Sequence, residues 1–120
     1  MNGEAQAFLE DMIRRRGYVH DFHRVLAEYD LEFLQSYEDL LQLAYLRPRR
    51  LPRLTKELVY VALLAGIGAN REHMKVHMAA AAAEGATSQD MLELLELVLP
   101  IAGVARFVDA VAVWREVFEA

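Results

Sequence analysis

The chain has 120 residues, with 13 Lys and Arg against 18 Asp and Glu, which gives a formal net charge of −5. This is the length of one ordinary domain, and 55% hydrophobic residues with three prolines supply enough apolar material for a packed core. Collagen-like, low-complexity and disordered classes are therefore excluded. The acidic balance disfavours nucleic acid as a partner, because phosphate binding generally needs a positive surface. Cysteine is absent, which excludes disulfides, thiolate metal ligands and thiol-based peroxidase chemistry.

The termini and apolar stretches give no sign of export or membrane insertion. Acidic residues interrupt the apolar stretch within residues 1–16, and no signal-type cleavage site follows, so a cytoplasmic location is expected. The longest apolar windows, 58–69 and 92–108, are too short or too interrupted to span a bilayer. We therefore expect a soluble protein with no membrane partner.

The first half of the chain has the pattern of three helices. Apolar residues recur at spacings of three and four nearly everywhere, and alternation is almost absent, so the sequence predicts an all-α bundle of about six helices. The first is expected over about 4–16, with Gly17 placed to end it, and the second over about 18–29. Asp30 is placed to cap a third amphipathic helix that runs to about Leu46.

A proline- and arginine-rich connector, 47–53, separates these helices from the second half. Thr55 or the residue before it opens a helix that is apolar almost all round, which is typical of a central buried element. Asn70 is placed to cap the next helix, which carries an alanine run and ends at Gly85.

Two further helices complete the predicted bundle. Thr87 and Asp90 approximate a capping box at the start of a helix that runs to the 100–103 region, and a last helix follows. Because no internal repeat or linker is seen, we expect a single domain over 1–120. The apolar stripes are wider than one small core requires, which predicts a homo-oligomer in which neighbouring subunits cover some faces.

The four histidines occur as two pairs. His73 and His77 are one helical turn apart, so both project from the same face, where they are able to bind one ligand or a metal ion. Glu57 lies on the preceding helix, the one that opens near Thr55. Antiparallel packing of that helix against the histidine-bearing helix would bring Glu57 to the imidazoles. A solvated histidine pair, with Glu57 serving only the helix N-terminus, is the alternative. His20 and His23 are expected as a plain surface pair.

Four segments of the second half share a distinctive order: LTKEL at 54–58, GANREH at 68–73 followed by His77, EGAT at 84–87, and PIAG at 100–103. This order resembles the carboxymuconolactone decarboxylase family, which includes the alkyl hydroperoxidase D-like proteins, over about 33–118. The resemblance implies an all-helical bundle around a helical hairpin, commonly assembled as trimers or hexamers.

The resemblance also separates two branches of chemistry. In the peroxidase branch the second hairpin helix bears Cys-x-x-Cys-x-x-x-His, and the matching positions here are Asn70, His73 and His77. Both redox sulfurs are missing, so thiol peroxidase activity is excluded. The decarboxylase branch implies acid/base chemistry on a small carboxylated lactone or a related intermediate of aromatic catabolism, by a carboxy-lyase with no metal or organic cofactor.

In such a decarboxylation the loss of carbon dioxide leaves an enolate, which a near-neutral imidazole is suited to protonate on carbon. The resemblance to the decarboxylase branch therefore implies His77 as principal acid/base, His73 as a second donor or substrate contact, and Glu57 as the group that orients an imidazole. Three side chains are expected to contact the substrate: Asn70, Arg47 and Arg53.

Several other interpretations of these residues stay open. The arginines of the connector fit a solvated loop with local ion pairs as well as an anion site. His73 and His77, with Glu57, also fit a metal-binding protein. A non-catalytic ligand-binding or assembly protein on the same scaffold is the third possibility.

Overall fold

The computed structural model describes residues 1–119. Over this range the chain is entirely helical, which confirms the all-α bundle of about six helices. There are seven α-helices and one π-helical turn: α1 (Gly3–Arg16), α2 (Asp21–Tyr29), α3 (Leu31–Leu41), the π-helical turn (Gln42–Leu46), α4 (Arg53–Ile67), α5 (Arg71–Ala83), α6 (Ser88–Ala102) and α7 (Val104–Phe118).

The helices fall into two compact units. The first, Met1–Arg47, holds α1, α2, α3 and the π-helical turn, and the second begins at Pro48 and holds α4 to α7. The single domain expected over the whole chain stays a prediction.

The first unit begins and ends its helices where local chemistry favours it. The Asn2 side chain accepts the Ala5 N–H at 2.8 Å to cap α1, and Gly17 ends this helix at φ +88°, a conformation that favours glycine. Asp30 accepts the Phe33 N–H at 3.2 Å to cap α3. The apolar core of the unit is small and consists of Ala5, Leu9, Met12, Ala27 and Leu34.

His23 is buried, so the prediction of a plain surface pair with His20 was wrong for this residue. Its Nδ1 accepts the backbone N–H of His20 at 2.8 Å, which turns the ring inward at the start of α2. The ring packs at a tilt of 36° against Phe22, with centroids 4.0 Å apart, and its Nε2 lies 3.5 Å from a guanidinium nitrogen of Arg16. That guanidinium forms a 2.8 Å ion pair with Glu38, whose side chain is also buried.

In the second unit α4 and α7 each pack against the other three helices. Asn70 caps α5, and Thr87 exchanges two hydrogen bonds with Asp90 in a capping box that starts α6. Gly103, at φ +95°, divides α6 from α7. The core of this unit combines aliphatic, methionine and alanine side chains: Val61, Ala65, Met74, Met78, Ala81, Ala86, Met91, Leu95, Val98, Ala110 and Val113.

Beyond Lys56 and Glu57, α4 is buried along one face only. Val61 and Ala65 are fully buried, whereas Val59, Leu63 and Ile67 are exposed on the opposite side. The apolar composition all round α4 therefore reflects one face in the core and a second apolar face at the surface, which corrects the expectation of a wholly buried element.

Candidate functional site

The site is built on the hairpin of α4 and α5. Residues 68–70 are the whole connection between the two helices, so α5 returns along α4 and the two pack closely. This return places Glu57 of α4 against His77 of α5. The Glu57 Oε2 and His77 Nδ1 atoms are 2.8 Å apart, and the two side chains are only 2% and 7% exposed.

The contact with Glu57 fixes the tautomer of the neutral His77 ring. A carboxylate oxygen only accepts, so Nδ1 of His77 donates to Glu57 and the lone pair of the neutral ring lies on Nε2. When Nε2 takes up a proton, the carboxylate lies beside the resulting positive charge and stabilises it. The pair therefore has the arrangement of an acid/base histidine with an orienting carboxylate.

Two further rings border His77. The ring centroid of His73 is 5.2 Å away, and that of Tyr60 is 5.0 Å away. His73 is exposed and Tyr60 is half-buried, whereas His77 itself is buried. The site thus pairs a buried histidine with a histidine that meets solvent.

A polar face of α4 leads to this pair. At 100° per residue, Arg53, Lys56, Glu57 and Tyr60 fall within roughly 100° of the helix circumference. A guanidinium nitrogen of Arg53 lies 3.5 Å from Oε1 of Glu57, the carboxylate oxygen that does not face His77. Lys56 is buried, and this burial lowers its pKa, with the charges of Arg53 and Arg49 lowering it further. Positive charge is therefore concentrated at the start of α4.

The remaining predicted substrate contacts have different positions. The Asn70 side-chain oxygen accepts the N–H groups of Glu72 and His73 at 2.8 and 3.3 Å, so its cap on α5 leaves the amide nitrogen for other contacts. Arg47 is exposed and ends the first unit, whereas Arg53, Glu57 and His77 belong to the second.

Tyr60 and Lys56 are site neighbours that the sequence interpretation missed. Tyr60 is three residues after Glu57 and four after Lys56, which places the three on one helix face. This spacing was a usable signal. The burial of Lys56 was not, because lysine is among the residues most often exposed.

Two features are absent from residues 1–119. Among these residues, no three or more His, Asp or Glu side chains are grouped so as to hold a metal ion. The same stretch contains no helix with the length and apolar character needed to cross a membrane.

The comparisons with known proteins agree with the family indicated by the motifs. No curated protein and no solved structure gives a match to the chain. The family model described as "Carboxymuconolactone decarboxylase family" matches residues 32–116, which extend from the first turn of α3 to the last turn of α7 and include Glu57, His73 and His77. The chain therefore belongs to the carboxymuconolactone decarboxylase family.

Proposed function

We propose that this protein is a cofactor-free carboxy-lyase that acts in the cytoplasm on a small carboxylated lactone or a related intermediate of aromatic catabolism. The observation that carries the proposal is the buried 2.8 Å contact between Glu57 and His77, the arrangement that acid/base catalysis by an imidazole needs. Membership of the family supports the small-molecule substrate, and the absence of cysteine excludes the thiol peroxidase alternative. The proposal includes self-association as a trimer or hexamer.

In the proposed reaction, His77 is the group that transfers the proton. The bond between the substrate carboxylate and its α-carbon breaks, carbon dioxide leaves, and the electron pair passes into the conjugated lactone carbonyl as an enolate. Nε2 of protonated His77 then donates its proton to carbon, and the neutral ring is reprotonated from solvent. Glu57 holds the ring through Nδ1 and stabilises the protonated form, and His73 serves as a second donor or substrate contact at the solvent side.

Besides proton transfer, the proposed reaction requires a group that binds the anionic substrate, and the positive charge at the start of α4 supplies it. Arg53 presents paired donors that suit a carboxylate, and the buried ammonium of Lys56 lies on the same helix face. Placed beside the reacting group, these charges also stabilise the negative charge of the enolate. Arg47 and the amide nitrogen of Asn70 are additional candidates for substrate contact.

The test is a decarboxylation assay with 4-carboxymuconolactone that follows both loss of substrate absorbance and release of carbon dioxide. His77→Ala is expected to lower kcat by about 100-fold or more, the usual contribution of a general acid or base. Glu57→Gln keeps the shape of the side chain but removes its charge, so a smaller loss of kcat is expected. Far-UV circular dichroism checks that both variants keep their helices.

His20→Ala is the matched control, because His20 is an exposed histidine in the other unit. It should retain wild-type turnover. Undiminished turnover by His77→Ala would refute the assignment of the acid/base group. If the wild type itself leaves the lactone unchanged, this lactone is not the substrate, and other carboxylated lactones are the next compounds to assay.

A further inference from the structure

The side chains around the Glu57–His77 contact follow one another in a fixed order along the α4–α5 hairpin. Tyr60 is about one turn after Glu57 on α4, and His73 is about one turn before His77 on α5. Because the two helices are antiparallel, both aromatic residues lie on the same side of the contact, toward the turn of the hairpin. Arg53, one turn before Glu57, lies on the opposite side. The site therefore has a cationic end, an acid/base pair and an aromatic end.

Tyr60 is the more firmly held of the two aromatic side chains. Its ring centroid is 5.0 Å from that of His77, with the ring planes 57° apart, and the residue is half-buried, whereas His73 is exposed. His77 is itself buried, so a molecule that reaches its ring also contacts the side chains around it. The Tyr60 ring is therefore a fixed and partly accessible aromatic surface next to the acid/base group.

An aromatic surface distinguishes flat rings from puckered ones. A planar, unsaturated ring stacks on the face or edge of an aromatic side chain and gains from the contact beyond the area that it buries. A saturated ring of the same size is puckered and has no π-system, so it gains only the burial. A tyrosine in this position consequently favours one class of ring over the other without any hydrogen bond to it.

We propose that Tyr60 is a specificity-determining residue of this site and selects acids whose ring is planar and unsaturated. The carboxylate lies toward Arg53, the atom that carries it lies beside His77, and the rest of the ring packs on Tyr60. On the face of α4, Arg53 and Tyr60 are seven residues or roughly 10 Å apart, which leaves room for one small ring between the two side chains. This inference rests on the proposed function, because it takes the hairpin to be the substrate site.

Binding of two small acids tests the proposal independently of turnover. 2-Furoate and tetrahydrofuran-2-carboxylate share one heavy-atom framework and one carboxylate, but only the first has a planar, unsaturated ring. Their dissociation constants are measured by NMR titration from the imidazole signals of His73 and His77, while the signals of His20 and His23 report binding to the other unit. The wild type should bind 2-furoate roughly 2- to 10-fold more tightly, which is the range expected for aromatic stacking.

Three variants show whether the Tyr60 ring is responsible. Tyr60→Leu should weaken the binding of 2-furoate alone and so make the two dissociation constants equal, whereas Tyr60→Phe keeps the ring and should retain the preference. Tyr29→Leu, a change at a tyrosine of α2 that is 80% exposed, is the matched control and should behave as the wild type.

The proposal has outcomes that would overturn it. These are equal affinities of the wild type for the two acids, the absence of shifts at His73 and His77, or a preference that survives Tyr60→Leu. Equal weakening of both acids by Tyr60→Leu, the effect of a purely structural role, would overturn it as well. A wild type that shows the preference and does not decarboxylate 4-carboxymuconolactone contradicts the proposed reaction and not the role of Tyr60.

Discussion

Acidification should destabilise the protein through His23. Burial lowers the pKa of His23 from 6.5 to about 4, and the positive charges of Arg16 and His20 contribute. In the unfolded chain the ring takes up a proton near pH 6.5, and in the folded chain only near pH 4. Between these values the unfolded state binds more protons, so the free energy of unfolding falls as the pH is lowered through this window and is level on either side.

The size of the effect follows from the width of the window. One pKa unit corresponds to about 1.4 kcal/mol, so acidification from about pH 7 to about pH 4.5 should cost roughly 2 kcal/mol, and about 3 kcal/mol when the window is fully crossed. For a chain of this length that is a large part of the total stability. Urea unfolding followed by circular dichroism at a series of pH values measures it directly.

The matched variant is His23→Gln. Glutamine at the third position of a helix accepts the N–H of the capping residue in a capping box, as Nδ1 of His23 does here, and it does not titrate. All other titrating groups are the same in both proteins, so the difference between the two curves isolates His23. On acidification, the free energy of unfolding of the wild type should fall by roughly 2 kcal/mol relative to that of His23→Gln. His20→Gln removes only the smallest of the three contributions to the His23 shift and should keep most of the wild-type dependence. Parallel curves for wild type and His23→Gln would refute the reasoning.

Two further predictions concern groups that hold the helices in place. Glu38→Ala leaves Arg16 buried without its ion-pair partner and should lower the free energy of unfolding in urea by about 3–5 kcal/mol. The double variant Arg16→Met/Glu38→Leu should recover most of that loss. A loss below about 1 kcal/mol in Glu38→Ala would contradict the burial of the pair. Thr87→Ala removes the 3.0 Å hydrogen bond that the Asp90 N–H donates to the Thr87 hydroxyl, and it should cost about 1 kcal/mol by thermal unfolding. The lowered pKa of Asp90 should rise only in part in an NMR titration, because the Thr87 backbone N–H, its largest cause, is kept. A variant as stable as the wild type would contradict the cap.

The features that the sequence predicted best depend on neighbours along the chain. The caps at Asn70 and Thr87 and the helix end at Gly17 each need only a few consecutive residues, and all three lie where the pattern placed them. The Glu57–His77 contact is longer in range, but a three-residue connection between two helices leaves the antiparallel hairpin as the simple packing.

The burial of His23 could not be predicted in the same way. The groups that enclose it come from three helices, with Arg16 at the end of α1 and Tyr37 on α3, and nothing in the spacing of His20 and His23 reports them. The exposure of one apolar face of α4 could not be predicted from the sequence either. Leucine and valine all round a helix fit complete burial and an apolar face left at the surface equally well, so composition alone could not distinguish them.

The two buried histidines show why residue type is a poor guide to function without the bonds around each ring. Nδ1 of His23 accepts a backbone N–H, so the neutral ring carries its proton on Nε2 beside the Arg16 cation, which opposes any further positive charge. Nδ1 of His77 instead donates to the carboxylate of Glu57, which places the lone pair of the neutral ring on Nε2 and sets a negative group beside the ring. The first arrangement keeps a histidine neutral as part of the core, and the second allows it to exchange a proton. The opposite roles of the two Nδ1 atoms are therefore the reason to place the chemistry on the α4–α5 hairpin.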